Sequence, residues 1–198
     1  MRVKEIKLYK FDELSEEAKE KAIEKLYDIN VDDSYWYECT IDDAKEIGKL
    51  MGIDISNIYF SGFSSQGDGA CFEGKYTYRK NSVKELKAYA PQDEVLHTIV
   101  KDLYKIQKSA FYRLYARVKH RGHYSHEYCT EIDVYNDEND EQETTKEQED
   151  GLTEVLRDFM RWIYRTLQKE YEYQTSQESI IETIKANEYE FTEDGTLE

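Results

Sequence analysis

Residues that cross-link or interrupt a chain are scarce in this sequence, which has 3 cysteines and 1 proline among 198 residues. Cys39, Cys71 and Cys129 are odd in number and form no CxxC pair, a pattern that disfavours a disulfide framework and indicates a reducing compartment. No apolar run approaches the roughly 18 residues that cross a bilayer, and the first ten residues lack the apolar stretch of a secretion signal. We therefore expect a cytoplasmic protein with no membrane partner.

Positive charge is also in short supply, because 27 Lys and Arg stand against 43 Asp and Glu for a net charge of -16. Affinity for duplex nucleic acid depends on neutralising phosphates with cations, so this balance argues against direct nucleic-acid binding. Aromatic residues are abundant at 14% of the chain, which separates the sequence from charge-rich disordered chains. The length suits a single domain over residues 1–198, and the number of rings makes a homo-oligomer an expectation.

Apolar residues recur at helical spacing in six segments, and most of these segments carry a residue that favours a helix start or stop. Gly52 follows the second segment as the expected left-handed stop. The pairs Ser82 with Glu85 and Thr175 with Glu178 have the spacing of a helix cap. The predicted starts are Ser15, Asp33, Ser82, Ala90-Pro91 and Thr175, and a long apolar stripe from Leu152 to Leu167 predicts the remaining helix.

Two further segments alternate with a period of two and predict β-hairpins. The first, ISNIYFSGFSSQGDGACFEGKYTY, carries the polar loop SSQGDG between Phe63 and Ala70, and the second turns at Arg121-Gly122-His123. Ile6 and Leu8 predict a short first strand with one buried face. The predicted fold class is α+β, an antiparallel sheet built from two β-hairpins plus a short N-terminal strand and covered by helices on one face.

The three-residue turn also predicts a register for the second hairpin, since the apolar faces of paired strands must agree. It places Val118 opposite His126 on a tyrosine-lined face. If the two hairpins are neighbours in one sheet, the turns bearing Gly67 and Gly122 project from a common edge and enclose a cavity. The predicted cross-strand ion pairs, worth roughly 0.2–1 kcal/mol each, are Arg117–Glu127 and Arg113–Glu131.

Charge is unevenly distributed along the chain. Residues 136–150 hold eight acids, one lysine and no apolar residue, and they predict a solvated acidic loop. Residues 187–198 predict an acidic tail. Between Lys101 and Arg121, seven cations stand against the single acid Asp102. This cationic segment either neutralises neighbouring carboxylates or binds a phosphate-bearing small molecule.

The polar loop and the histidines of the second hairpin form the candidate ligand site. Glycines let the loop backbone approach a ligand, but the loop returns to a strand and lacks the helix start of a nucleotide-binding P-loop, so ordinary turn chemistry is the alternative. Three histidines suggest a metal, yet their side chains diverge in the predicted register, and we predict neither metal nor cofactor. The candidate ligand-binding residues are Ser64, Ser65, Gln66, Asp68, Glu73, His120, Arg121, His123 and His126.

A catalytic alternative uses the same segments. Nucleophilic catalysis needs a serine or cysteine beside a base that a third group orients. Cys71 or Ser65 with His126 supplies the parts of a small hydrolase. Parts without geometry are weak support, so no catalytic residue is predicted.

Five segments, in order along the chain, resemble one family: FDELSEEAKEKAIEKLYD, DISNIYFSGFSSQGDGACFEGKY, KHRGHYSHEYC, RDFMRWIY and ANEYEFTEDG. They resemble an uncharacterised group of bacteriophage and prophage proteins that often carries the label "antitoxin of toxin-antitoxin stability system". The resemblance spans nearly the whole chain. It implies a small, acidic phage protein in the cytoplasm of the host cell, for which interference with a host system is the expectation, and it implies no catalytic residues.

Three functions follow as hypotheses. The first is a non-catalytic phage binding protein that counters a host defence system, either by blocking a defence protein through its acidic surface or by capturing a nucleotide-like signal. The second is the small hydrolase. The third is an antitoxin that neutralises a toxin by direct protein contact.

Overall fold

A computed structural model describes residues 5–136 and 144–198 of the chain. This part of the chain forms helices and antiparallel strands, which confirms the predicted α+β class. The strands are β1 (Tyr9–Lys10), β2 (Ile53–Phe60), β3 (Ala70–Thr77), β4 (Tyr115–His120), β5 (Thr130–Tyr135) and β6 (Glu190–Phe191). The helices are α1 (Glu16–Lys25), α2 (Tyr35–Met51), α3 (Ser82–Tyr89), α4 (Glu94–Ser109), α5 (Lys146–Gln174) and α6 (Gln177–Ala186).

The backbone contacts divide the chain into two compact units. Unit 1 combines the described residues up to Cys39 with Lys169–Glu198, and unit 2 is Thr40–Gln168. The boundaries fall inside α2 and α5. This division does not test whether the chain folds as one domain, so the single-domain assignment stays a prediction.

Unit 2 contains the four-stranded sheet, in the order β2-β3-β4-β5 with every pair antiparallel. Alternate residues of each strand point to opposite faces. On one face Tyr76, Ala116 and Val118 are buried, and Phe72 packs edge to face on Phe159 of α5 with the ring centroids 6.0 Å apart. The opposite face carries charged side chains of β2 to β5 and is called the open face below.

Unit 1 contains the small sheet, in which β1 pairs with β6. The predicted N-terminal strand is therefore wrong in place and partner, because Ile6 and Leu8 remain 48% and 43% exposed and β1 does not join the main sheet. The prediction of an acidic tail at residues 187–198 is also wrong. Phe191 is fully buried against Phe11, and the two rings lie 6.2 Å apart in the core of this unit.

The second hairpin pairs in a different register from the predicted one. His120 lies opposite Thr130 and Arg117 opposite Asp133, so neither predicted ion pair forms. Residues 121–129 make a longer connection that contains a 3-10 turn, Glu127–Cys129, and is closed by the Arg121 amide donating to the Cys129 carbonyl at 2.7 Å. The observed and predicted registers differ by an even number of residues, so the apolar and charged faces of the strands are as predicted.

Helix starts were predicted with mixed success. The Ser15 cap is confirmed, because its hydroxyl accepts the Ala18 amide at 3.3 Å, and Gly52 ends α2 with φ at +89° as predicted. The Ser82 cap is wrong, since α3 follows Asn81 in a left-handed conformation without a side-chain cap. The carboxylate or hydroxyl caps of the later helices come one or two residues after the predicted starts, from Asp93 for α4 and Ser176 for α6.

The predicted acidic loop 136–150 is wrong at its C-terminal end, because α5 begins at Lys146. Thr145 and Gln148 cap this helix reciprocally, with the Gln148 amide donating to the Thr145 hydroxyl and the Thr145 amide to the Gln148 side chain. Residues 137–143 of the predicted loop lie outside the described residues. No helix in the described ranges is both long and apolar enough to cross a bilayer.

Phe191→Ala is expected to lower the free energy of unfolding by about 3–5 kcal/mol, because it removes a fully buried ring from the core of unit 1. Chemical denaturation measures this change. Glu193→Ala, an exposed position two residues away, is the matched control and should be close to neutral. Equal stability of the two variants would contradict the placement of the C-terminal segment in the core.

Candidate ligand-binding site

The two hairpin connections meet at one edge of the main sheet. β3 begins where β4 ends, because the strands run antiparallel with Gly74 opposite Val118. The connection that precedes β3 therefore lies beside the connection that follows β4. A Cβ atom on Gly69 would lie 2.5 Å from Cβ of His126, so the two connections are in direct contact there. The neighbouring position of the hairpins agrees with the sequence argument, but the two loops pack together at Gly69.

The SSQGDG loop uses its polar groups to hold its own shape. The Asp68 carboxylate accepts the amides of Ser64 and Ser65 at 3.0 and 2.6 Å. The Phe63 ring stacks on Tyr164 of α5 with centroids 5.5 Å apart. Asp68 is thereby committed to turn formation, the alternative that the sequence left open. Gln66 is exposed in the same loop.

Glu73 of β3 organises the open face next to this edge. Its carboxylate accepts hydrogen bonds from the Tyr59 hydroxyl at 2.9 Å, the Asn57 side chain at 3.3 Å and the His120 backbone amide at 3.2 Å. The bonds from Tyr59 and Asn57 lower the pKa of Glu73 below its ordinary value, and the same bond to Glu73 raises the pKa of Tyr59. Glu73 therefore stays charged while it joins three neighbouring strands.

His120 forms a flat aromatic pair with Tyr59. The two rings are 4.5 Å apart between centroids and inclined by 22°. Nε2 of His120 lies 2.8 Å from the Tyr124 carbonyl oxygen, and because a carbonyl can only accept, this nitrogen carries the proton. The stacking on Tyr59 and the hydrogen bond to the Tyr124 carbonyl together fix the orientation of the imidazole.

His126 lies between two exposed tyrosines in a row of rings. Its ring is 6.3 Å from Tyr124 and 6.1 Å from Tyr128, centroid to centroid. Nδ1 accepts the Tyr128 amide at 3.2 Å, so Nε2 carries the proton and faces the Cys129 sulfur at 3.3 Å. Arg157 of α5 lies over the Tyr128 ring, 4.9 Å from its centroid, and holds this turn against the helix.

The geometry gives no support to the hydrolase hypothesis. Cys71 is fully buried, and burial raises the pKa of its thiol to about 12, which keeps it in the unreactive protonated form. In the described ranges no hydrogen bond joins His126 to Cys71 or Ser65, and its Nε2 is directed at Cys129 instead. The nucleophile and base required by that mechanism are not paired.

The remaining candidate residues, Arg121 and His123, form no hydrogen bond with each other. Arg121 is occupied by an ion pair with Glu131, at 2.9 Å from its Nε. His123 is exposed and makes no hydrogen bond or ring contact with the described residues. No group of three or more histidine, cysteine or carboxylate side chains in residues 5–136 and 144–198 is arranged to hold a metal ion. Of the nine candidates, Ser64 and Ser65 bond to Asp68 within the polar loop. Glu73 bonds to the His120 amide, and His126 lies against the polar loop at Gly69.

A concavity on the open face contains residues that the sequence argument missed. It has a volume of about 310 Å³, and Glu73 is the one predicted site residue in its lining. Three cations border it on adjacent strands, and the signal that could have found them is the alternation of Arg117 and Lys119 with apolar residues along β4. The lining residues of this groove, called the cationic groove below, are Asp54, Ser56, Glu73, Gly74, Lys75, Arg117, Val118 and Lys119.

The charges around the cationic groove alternate across the strands. Lys75 lies opposite both Asp54 and Arg117 in the strand register, and Lys119 approaches Asp133 at 3.9 Å. The guanidinium of Arg117 lies between two tyrosine rings of the open face, 5.6 Å and 5.4 Å from their centroids. Cations, carboxylates and aromatic rings are thus all available to a ligand on this face.

Comparison with known proteins identifies a family. A family model described as a domain of unknown function, DUF8835, covers residues 36–177. No curated protein and no solved structure matches the chain.

Glu73→Gln is expected to change how stability depends on acidity. The folded-state pKa of Glu73 lies below the unfolded value of about 4.3, so its charge stabilises the fold above that pH, and this contribution is lost as the pH falls through the folded-state value. The stability difference between the wild type and Glu73→Gln should therefore shrink below about pH 4.3. Urea denaturation between about pH 3 and 6 measures it, with the exposed Glu193→Gln as control. A constant difference over this range would contradict the role given to Glu73.

Thiol labelling is expected to distinguish Cys39 from Cys71. The exposed Cys39 should react with iodoacetamide in the native protein, whereas Cys71 should remain unlabelled because its thiol is buried and protonated. Peptide mass spectrometry identifies the labelled sites, and labelling in urea shows that each site can react once exposed. Rapid native labelling of Cys71 would contradict its burial and reopen the hydrolase hypothesis.

Proposed function

We propose a binding function for this chain, which belongs to the DUF8835 family of domains of unknown function. The ligand we propose is a nucleotide-like small molecule, bound without catalysis on the open face of the main sheet. The observation that supports this is the presence of three cations in one groove, beside a stacked aromatic pair that Glu73 connects to the groove.

The phosphate of the ligand would be held by Lys75, Arg117 and Lys119. Arginine and lysine supply charge-assisted hydrogen bonds to phosphate oxygens, and an arginine can supply two in parallel. Lys75 forms no ion pair within the described part of the chain, so its charge is available. The volume of about 310 Å³ is at the lower end for small-molecule pockets, which suits part of a nucleotide better than the whole.

The other groups of the site suit the rest of a nucleotide. A carboxylate next to a phosphate site can accept hydrogen bonds from ribose hydroxyls, and Asp54 occupies that position in the groove. The Tyr59–His120 pair adjoins the groove through Glu73 and offers a flat surface on which a base can stack. The cations, the Asp54 carboxylate and the aromatic pair would thus bind the phosphate, the ribose hydroxyls and the base of one nucleotide.

The biological setting belongs to the same proposal. The resemblance to phage proteins favours capture of a signalling nucleotide of a host defence system, so that the host response is not triggered. Binding would be sufficient for this role. The other routes to counter-defence, blocking a defence protein through the acidic surface or neutralising a toxin as an antitoxin, are the alternatives that a negative ligand test would favour.

Isothermal calorimetry with cyclic nucleotides, cyclic dinucleotides and ADP-ribose is the direct test. We expect at least one to bind, and Lys75→Ala to weaken its binding by about 10- to 100-fold, since a hydrogen bond to a charged group contributes roughly 1.5–3 kcal/mol. The unphosphorylated nucleoside should bind more weakly than the nucleotide, because it lacks the group that the three cations contact.

Lys84→Ala is the matched control, because Lys84 is an exposed lysine of α3 outside the groove. It should bind the nucleotide as the wild type does. Absence of heat from every nucleotide, or equal weakening by Lys75→Ala and Lys84→Ala, would overturn the proposed site. Co-expression with a neighbouring gene product would then test the antitoxin alternative through rescue of growth.

A further inference from the structure

The turn between α4 and β4 presents an exposed phenylalanine on strained backbone. Phe111 is 83% exposed, more than any other large hydrophobic side chain in the described ranges. Phe111 and Tyr112 both adopt positive φ, at +53° and +63°. This conformation is unfavourable for bulky side chains and persists only where the surrounding structure imposes it, and such positions concentrate at functional sites.

Buried polar contacts impose the conformation of this turn. Gln107 is fully buried, and its side-chain amide donates to the Leu114 carbonyl at 2.7 Å and accepts the Leu114 amide at 3.1 Å. The Tyr112 amide donates to the Gln107 carbonyl at 2.7 Å. The Tyr112 ring is 4.7 Å from that of Tyr78. The direction of Phe111 is therefore set in advance, which lowers the entropy lost when its ring is immobilised in a contact.

An open groove lies at the C-terminal end of α4, the helix that leads into this turn. It has a volume of about 440 Å³ and is bordered on one side by the end of α4 and on the other by the start of α5, which the Gln148 side chain joins by donating to the Ser109 carbonyl at 3.4 Å. Ser109 in the lining is two residues from Phe111. The lining residues are Lys105, Ile106, Ser109, Thr145, Glu147 and Gln148.

We propose that a second copy of this chain fills the groove, with Phe111 of each copy seated in the groove of the other. A projecting ring next to a groove on the same surface is self-complementary, because a two-fold axis between them places each ring in the opposite groove. Ile106 and the aliphatic parts of Lys105 and Gln148 provide the apolar contact. The contact is a small symmetric dimer interface, separate from the cationic groove.

The distribution of charge favours this surface over the other surfaces of the protein as the place where a second copy binds. The net charge of -16 makes two copies repel, and this repulsion is weakest where cations are concentrated. Phe111 lies within the cationic segment that runs from Lys101 to Arg121, whereas the groove carries Glu147. Lys108, whose carbonyl accepts the Phe111 amide, would therefore approach Glu147 of the other copy when the ring is seated.

Analytical ultracentrifugation tests this interface. The weight-average mass should rise from 23.6 kDa toward twice that value between about 1 μM and 1 mM, the range of small interfaces. Phe111→Asn should weaken association by at least about tenfold, as expected for a central aromatic anchor. Because asparagine tolerates positive φ, the melting temperature of this variant should be unchanged or higher. Tyr35→Asn, which removes a ring 74% exposed in α2, is the control and should associate like the wild type.

An exchange of the two charges tests whether Lys108 of one copy contacts Glu147 of the other. Lys108→Glu and Glu147→Lys should each weaken association, and the double variant should recover it, because the exchange restores an opposite-charge pair between the two copies. A wild type that keeps a mass of 23.6 kDa up to about 1 mM would overturn the proposal. A dimer insensitive to Phe111→Asn, or a double variant weaker than both single ones, would also overturn it.

Discussion

The pairing of β3 with β4 is the constraint on which the site depends, because it joins two hairpins that are distant in sequence. Once Gly74 lies opposite Val118, both hairpin connections must project from the same edge of the sheet. The glycines allow the close approach that this requires. A Cβ on Gly74 would lie 2.1 Å from the Asp54 carbonyl oxygen, and one on Gly69 would collide with His126. Without this pairing, the cationic groove, whose lining comes from both strands, would not exist.

The end of the same pairing is part of the proposed ligand site, because Gly74 and Val118 both line the cationic groove. The β3–β4 register stops at Gly74 opposite Val118, and the amide of His120, two residues further along β4, donates to the Glu73 carboxylate. A strand end that would leave a polar group unpaired is thus closed by a charged side chain. Glu73 also holds Tyr59 beneath the His120 ring, so one residue links the backbone, the stacked pair and the cationic groove. The exposed turn at Phe111 depends on a comparable device, a buried Gln107 that replaces backbone partners.

The sequence predicted the elements of this fold better than their ends and pairings. The hydrophobic periodicity placed α2, α5 and both hairpins, because a pattern repeated over many residues tolerates local error. Caps depend on single residues, and Asp93 and Ser176 were missed since several nearby residues can cap equally well. The predicted register of the second hairpin differs from the observed register by an even number of residues. Alternation alone does not distinguish registers that differ by two, so the faces were correct and the ion pairs were not.

Local sequence patterns are sufficient to predict the class of fold, the apolar and charged faces of its strands and the neighbourhood of the candidate site. These are set by local patterns that burial of apolar surface enforces. Tertiary structure alone decided that Asp68 is used within its own turn, that Glu73 is a shared acceptor and that Lys75, Arg117 and Lys119 border one groove. The C-terminal segment also gained its role there, because Phe191 is buried by pairing with a strand from the opposite end of the chain. Such contacts join residues far apart in sequence, and no local pattern encodes the partner that each side chain meets.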